Sequence, residues 1–193
     1  MVRRLAVFAA VVVVAAMAAF VSPAAAAKPA GGSFTTTVTV PPTTVTVDGF
    51  AVTVSGNLTA TVTQFRVDSS GHLVAIATVS GTLTATEPTL GSATITFNTR
   101  VVLNANVQAD CSGHLQIDFR GVLQINATVV FTALNGSTTT VTLNETVPLR
   151  GSLSFTETTE PLKSLICDLA TLLGNRSSPN AQADKLNTIL KKL

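Results

Sequence analysis

From Phe34 to about Phe155, apolar and polar residues alternate with a period of two. In Val101-Val102-Leu103-Asn104-Ala105-Asn106-Val107-Gln108-Ala109 the odd positions are apolar and most even ones polar. Leu115, Ile117 and Phe119 alternate with Gln116, Asp118 and Arg120, and Leu123, Ile125, Ala127, Val129 and Phe131 continue the pattern. Successive side chains of a strand point to opposite faces, so each segment has one buried and one wetted face. One-sided burial favours antiparallel pairing over a parallel sheet. Thr140, Thr142 and Thr146 occupy outward positions, where a branched Cβ suits a strand and a hydroxyl wets the surface without charge.

The period changes after Phe155. Leu162, Leu165, Ile166, Leu169, Leu172 and Leu173 recur at helical spacing, with Thr159 as N-cap, Pro161 in the first turn and Gly174 as the stop. Ser178-Pro179 starts a second helix, with Leu186, Ile189, Leu190 and Leu193 on one face. Two helices this close together fold back as a hairpin whose leucine face lies on the sheet. The expected fold is therefore mainly β: an antiparallel β-barrel or sandwich of about eight to ten strands, closed or capped by a C-terminal helical hairpin. The β domain spans residues 34–158 and the helical hairpin residues 159–193.

An internal repeat sharpens this reading. Asp68-Ser69-Ser70-Gly71-His72-Leu73 recurs as Asp110-Cys111-Ser112-Gly113-His114-Leu115, and each copy separates two alternating segments. Asp initiates a turn and Gly supplies positive φ, so both copies read as β-hairpin turns. Each is followed by a Gly-x-Leu step, at Gly81-Thr82-Leu83 and Gly121-Val122-Leu123.

The N-terminus is of a different kind. Arg3 and Arg4 precede an apolar run from Leu5 to Val21; Ser22-Pro23 breaks it, and Ala25-Ala26-Ala27 precedes Lys28. This is the layout of a cleaved signal peptide over residues 1–27, with cleavage between Ala27 and Lys28 and a flexible segment over residues 28–33. The expected address is secreted, extracellular or cell envelope, with no integral membrane segment after cleavage. The chain has twelve Lys+Arg and ten Asp+Glu, and loss of Arg3 and Arg4 leaves ten of each. A neutral domain from a chain with only 11% charged residues has no footprint for nucleic acid and no basic run suited to anionic lipid.

Catalytic motifs are not found: there is no Gly-x-Ser-x-Gly elbow, no His-Glu-x-x-His and no phosphate loop. Asp48, Glu87, Asp118, Glu145 and Glu157 are scattered. His72 and His114 each follow an Asp by four residues, but two ligands per loop are too few for a metal site. No catalytic residue, cofactor or metal ligand is assigned. Trp and Tyr are absent, which disfavours aromatic sugar platforms and tight protein hot spots. Asn-x-Ser/Thr triplets at Asn57, Asn126, Asn135, Asn144 and Asn175 are what a Thr-rich chain produces by chance.

Cys111 and Cys167 are the two cysteines, and in an exported chain they read as a disulfide; buried thiols or bridges between chains are the alternatives. Gln64-Phe65-Arg66-Val67 to His72-Leu73-Val74-Ala75-Ile76, the Gly81 step, Cys111 before His114-Leu115-Gln116-Ile117, and Leu165-Ile166-Cys167-Asp168-Leu169-Ala170-Thr171-Leu172-Leu173 together resemble a family of secreted actinobacterial β-proteins with no established activity. The resemblance implies export, the cysteine pairing and the β-then-helix order. The functional expectation is a non-catalytic secreted or envelope protein, structural or adhesive. The alternative is a carrier of a small apolar ligand, with Val101, Leu103, Ala105, Ile117, Ile125 and Val129 lining a barrel cavity.

Overall fold

The computed structural model describes residues 32–133 and 136–193. The leader, its Ala27–Lys28 cleavage site, residues 28–31 of the N-terminal segment and Asn135 lie outside the described residues. Six strands, β1 (Phe34–Val47), β2 (Phe50–Val67), β3 (Leu73–Glu87), β4 (Gly91–Ala109), β5 (His114–Thr132) and β6 (Thr138–Thr156), form a closed antiparallel ring in chain order. Helices α1 (Leu162–Gly174) and α2 (Pro179–Leu190) follow. The chain is thus mainly β with a helical hairpin, as the two periodicities predict, but the described residues hold six long strands where about eight to ten were expected.

Strand length accounts for the difference. The strands run from 14 to 19 residues, and the Gly-x-Leu steps lie inside them rather than at their ends. Leu58 is paired with Gly81 across β2 and β3, and a Cβ on Gly81 would lie 3.0 Å from its Cδ2. A Cβ on Gly121 would lie 2.6 Å from Leu103 Cδ2, and one on Gly151 2.7 Å from Val38 Cγ1. Glycine at these positions admits a neighbouring core side chain and lets a long strand coil around a narrow barrel.

The turns follow local chemistry. Asp48 and Gly49 both have positive φ, 52° and 84°, the geometry of a two-residue hairpin turn between the paired Val47 and Phe50. In the repeat, Asp68 Oδ1 accepts from the Ser70 and His72 backbone N–H groups at 2.8 and 2.9 Å. Asp110 Oδ1 accepts from those of Ser112 and His114 at 2.9 and 3.3 Å. The two copies are equivalent hairpin turns, β2–β3 and β4–β5.

Ring closure is uneven. Among the described residues the β1–β6 ladder has two pairs, Val38↔Gly151 and Thr39↔Arg150, beside which the Thr36 hydroxyl donates to Ser152 O at 2.7 Å. Continuing that register would set Pro41 opposite Pro148, and proline offers no N–H to a ladder. The β4–β5 ladder runs from Ala109↔Leu115 to Asn104↔Arg120 and goes no further. Beyond these points β4 stays paired to β3, and β5 to β6. Of the two expected architectures the sheet is therefore the barrel, closed through short ladders at β1–β6 and β4–β5.

The hairpin of helices closes the barrel end. α1 buries Leu162, Ile166 and Leu169, and α2 buries Ala183, Leu186, Ile189 and Leu190. α1 begins at Leu162, and the Thr159 side chain does not cap it; that hydroxyl donates to Glu157 Oε1 at 2.6 Å. Ser178 caps α2, accepting from Ala181 N–H at 3.4 Å, with Pro179 at its first position. Lys185 Nζ lies 3.0 Å from Asp168 Oδ2 and links the helices.

Asn187 ties α2 to the barrel. The β2–β3 register shifts between Val62 and Gln64, at a bulge just before Phe65. Asn187 Oδ1 accepts from Phe65 N–H at 2.7 Å, and its Nδ2 donates to Phe65 O at 2.8 Å. One amide thus satisfies both backbone groups beside the bulge. Asn187→Leu should lower stability by about 1–3 kcal/mol by leaving them unpaired. Chemical denaturation checks this; a variant as stable as the parent would show that water replaces the amide.

Candidate functional site

The interior is lined by buried apolar side chains. Val101, Leu103, Ile117, Ile125 and Val129 are buried, and Ala105 is partly buried against the same core. All six face inward, as their alternation predicts. They are packed into a cluster that includes Val38 and Val40 of β1, Leu58 and Val62 of β2, Leu83 of β3, and Leu143 and Val147 of β6. Phe34 stacks on Phe65 with ring centroids 6.3 Å apart and tilts on Phe119 at 6.1 Å. Beneath these rings, a space of about 10 Å³ remains between the barrel end and Leu186, Ile189 and Leu190 of α2.

The acids and histidines of the repeat serve turns. His72 Nδ1 lies 3.7 Å from Asp68 Oδ2, and His114 Nδ1 lies 3.3 Å from Thr156 Oγ1. The two imidazoles sit on different hairpins and do not converge on a common point with other ligands; among the described residues no three His, Cys, Asp or Glu groups do. Glu87 Oε2 accepts from the Thr89 and Leu90 N–H groups, both at 2.6 Å, and from the Thr89 hydroxyl at 2.7 Å. Glu157 Oε1 likewise accepts from the Thr158 and Thr159 N–H groups at 2.9 Å.

These bonds favour the charged carboxylate. The Thr89 hydroxyl holds the Glu87 acid below its usual range, and the Thr159 hydroxyl does the same for Glu157. For Asp68 the leading cause is the His72 N–H, and for Asp110 the Ser112 hydroxyl. A carboxylate whose acidity is strengthened by folding stabilises the fold above its unfolded pKa, about 4, and loses that contribution as pH falls through the folded value. The melting temperature should therefore hold steady down to about pH 5 and fall below about pH 4. A melting temperature that rises on acidification would contradict this assignment.

The outer wall carries the remaining polar chemistry. Thr140, Thr142 and Thr146 are exposed, as expected. Cross-strand hydroxyl and amide contacts recur: Thr44 with Thr53 at 2.9 Å, Thr39 to Asn57 at 2.8 Å, and Thr146 to Gln124 at 2.6 Å. Arg66, Arg100, Arg120 and Arg150 all stand on this wall and are exposed. Arg120 and Arg150 are direct cross-strand partners on β5 and β6. An open hollow of about 710 Å³ lies beside them, lined by Thr36, Thr39, Asp118 and Ser152 among others. No sequence signal marks this pair, because its members are separated by a hairpin and become neighbours only through the β5–β6 register.

Cys111 and Cys167 form a disulfide between the β4–β5 turn and α1, with Cα atoms 4.1 Å apart. No described helix is long and apolar enough to cross a membrane. Compared with known proteins, the chain matches no family model, no curated protein and no solved structure.

Proposed function

We propose that this is a non-catalytic secreted or cell-envelope protein, structural or adhesive, whose working surface is the outer wall of the barrel. The observation that supports this reading is the apolar interior, where buried side chains from all six strands pack into one cluster. The hydroxyl and amide ladders of the wall support it too, since they offer contact without a net charge to draw partners indiscriminately. A disulfide is compatible with export to an oxidising compartment.

Expression of the full reading frame in an exporting bacterium, followed by fractionation, tests the address and the role together. The expected result is protein in the envelope fraction or the medium, shortened by 27 residues and retained by isolated envelope material. Full-length protein confined to the cytosol would overturn the reading.

A further inference from the structure

We propose that Arg120 and Arg150 are an anion-binding pair, taking carboxylate or phosphate groups of an extended, hydroxyl-rich acidic oligomer. The inference rests on the reading of the outer wall as the working surface and names what that surface holds.

Like charges directly opposite one another across an antiparallel pair repel. Arg120 and Arg150 nevertheless stand opposite, both exposed, and neither makes an ion pair among the described residues. Asp118 is the acid that lines the hollows beside them, and several other acids are committed to their own loops. Asp68, Glu87, Asp110 and Glu157 are bonded to the backbone of their own turns or loops. Asp118 is the acid on the same strand face as Arg120; it accepts from Gln116 Nε2 at 3.3 Å and forms no ion pair with either arginine. A chain with balanced charge after leader removal is therefore locally positive at this point of its wall.

The surface around the pair has the shape of a track. The 710 Å³ hollow reaches from β1 over β6 to β5, and a second hollow of about 310 Å³ reaches from β5 to β4 and the His72 turn. Both are lined by Asp118 and Arg120, so they meet there. Crossing four strands spans about 14 Å, room for an oligomer and more than a single small ion needs. The track offers Ser152 and, as acceptors, the Thr36 and Thr39 hydroxyls, which donate to Ser152 O and Asn57 Oδ1, at one end, and Asn104 and Asn106 at the other, groups suited to hydroxyls. Two guanidinium forks supply paired donors that match the oxygens of a carboxylate or phosphate. Asp118 repels an anion placed between the hollows and accepts a hydroxyl there instead.

Calorimetric titration of the exported protein at low salt, with trigalacturonate, a glycerol phosphate trimer and neutral galactotriose, tests the proposal. One or both acidic trimers should bind, and the one that does identifies a carboxylate or phosphate source. Galactotriose should not bind. The Arg120→Gln/Arg150→Gln variant should weaken binding by about tenfold or more, from the loss of charge-assisted bonds. Arg100→Gln, outside both hollows, should change it by less than about twofold. The Arg120→Lys/Arg150→Lys variant keeps the charge and loses the fork; it should fall between, and it decides the matter if the Gln variant does not fold. Absence of binding by both acidic trimers, equal binding of the neutral trimer, or undiminished binding by the variants would overturn the proposal. Retention by envelope material together with such a failure would leave the outer-wall reading in place and remove this pair from it.

Discussion

Replacing Cys111 and Cys167 together with serine should lower the unfolding free energy by about 4 kcal/mol, before any relaxation of the native state. The bond spans a sequence separation of 56 residues, and the loss follows from the loop-closure entropy returned to the unfolded chain. Its position adds a local consequence. Cys111 lies in the β4–β5 turn and Cys167 in the helix that buries Leu162, Ile166 and Leu169. Without the link, the helical hairpin loses its covalent hold on the barrel end, and amide exchange in α1 should quicken more than exchange in β2 or β3. Denaturation of oxidised, reduced and Ser/Ser protein checks this. A Ser/Ser variant within about 1 kcal/mol of the parent would show that helix packing alone holds the end closed.

Phe119→Ala should cost about 3–5 kcal/mol, the range for removing a fully buried aromatic side chain. Phe119 is 1% exposed, contacts the Phe34 ring, and pairs with Gly151 beside the short β1–β6 seam. Gly151 in turn pairs with Val38, one of two residue pairs that close the ring. Phe119→Leu, which keeps most of the volume, should cost distinctly less. The difference is read from urea denaturation midpoints, and equal losses for Ala and Leu would mean that the ring contact, rather than filled volume, is what stabilises the seam.

The alternation in Val101–Ala109 and Leu115–Arg120 was sufficient to orient β4 and β5, because a period of two assigns each residue to a face whatever the topology. The hairpin turns were legible for a similar reason: Asp68 and Asp110 act on N–H groups within four residues. Strand number was not legible, since an alternating run looks the same whether a glycine ends a strand or lets it coil. Gly81 and Gly121 do the latter, and only the register with Leu58 and Leu149 reveals it. Thr159 has the residue type of a cap, but its hydroxyl donates to Glu157, and the helix begins after Pro161. The pairing of Asn187 with Phe65, 122 positions apart, has no sequence signal. The Arg120–Arg150 pair likewise depends on register, which is why a chain without a basic run still has a basic point on its wall.

Native mass spectrometry of the protein exported by its host tests the central claim, that the barrel works through its outer surface. One species is expected, at the mass of the polypeptide cleaved after Ala27, less the two hydrogens of the disulfide, with no apolar passenger. A lipid or other apolar metabolite that co-purifies in stoichiometric amount and survives transfer would contradict it, and would place a ligand among Val101, Leu103, Ala105, Ile117, Ile125 and Val129.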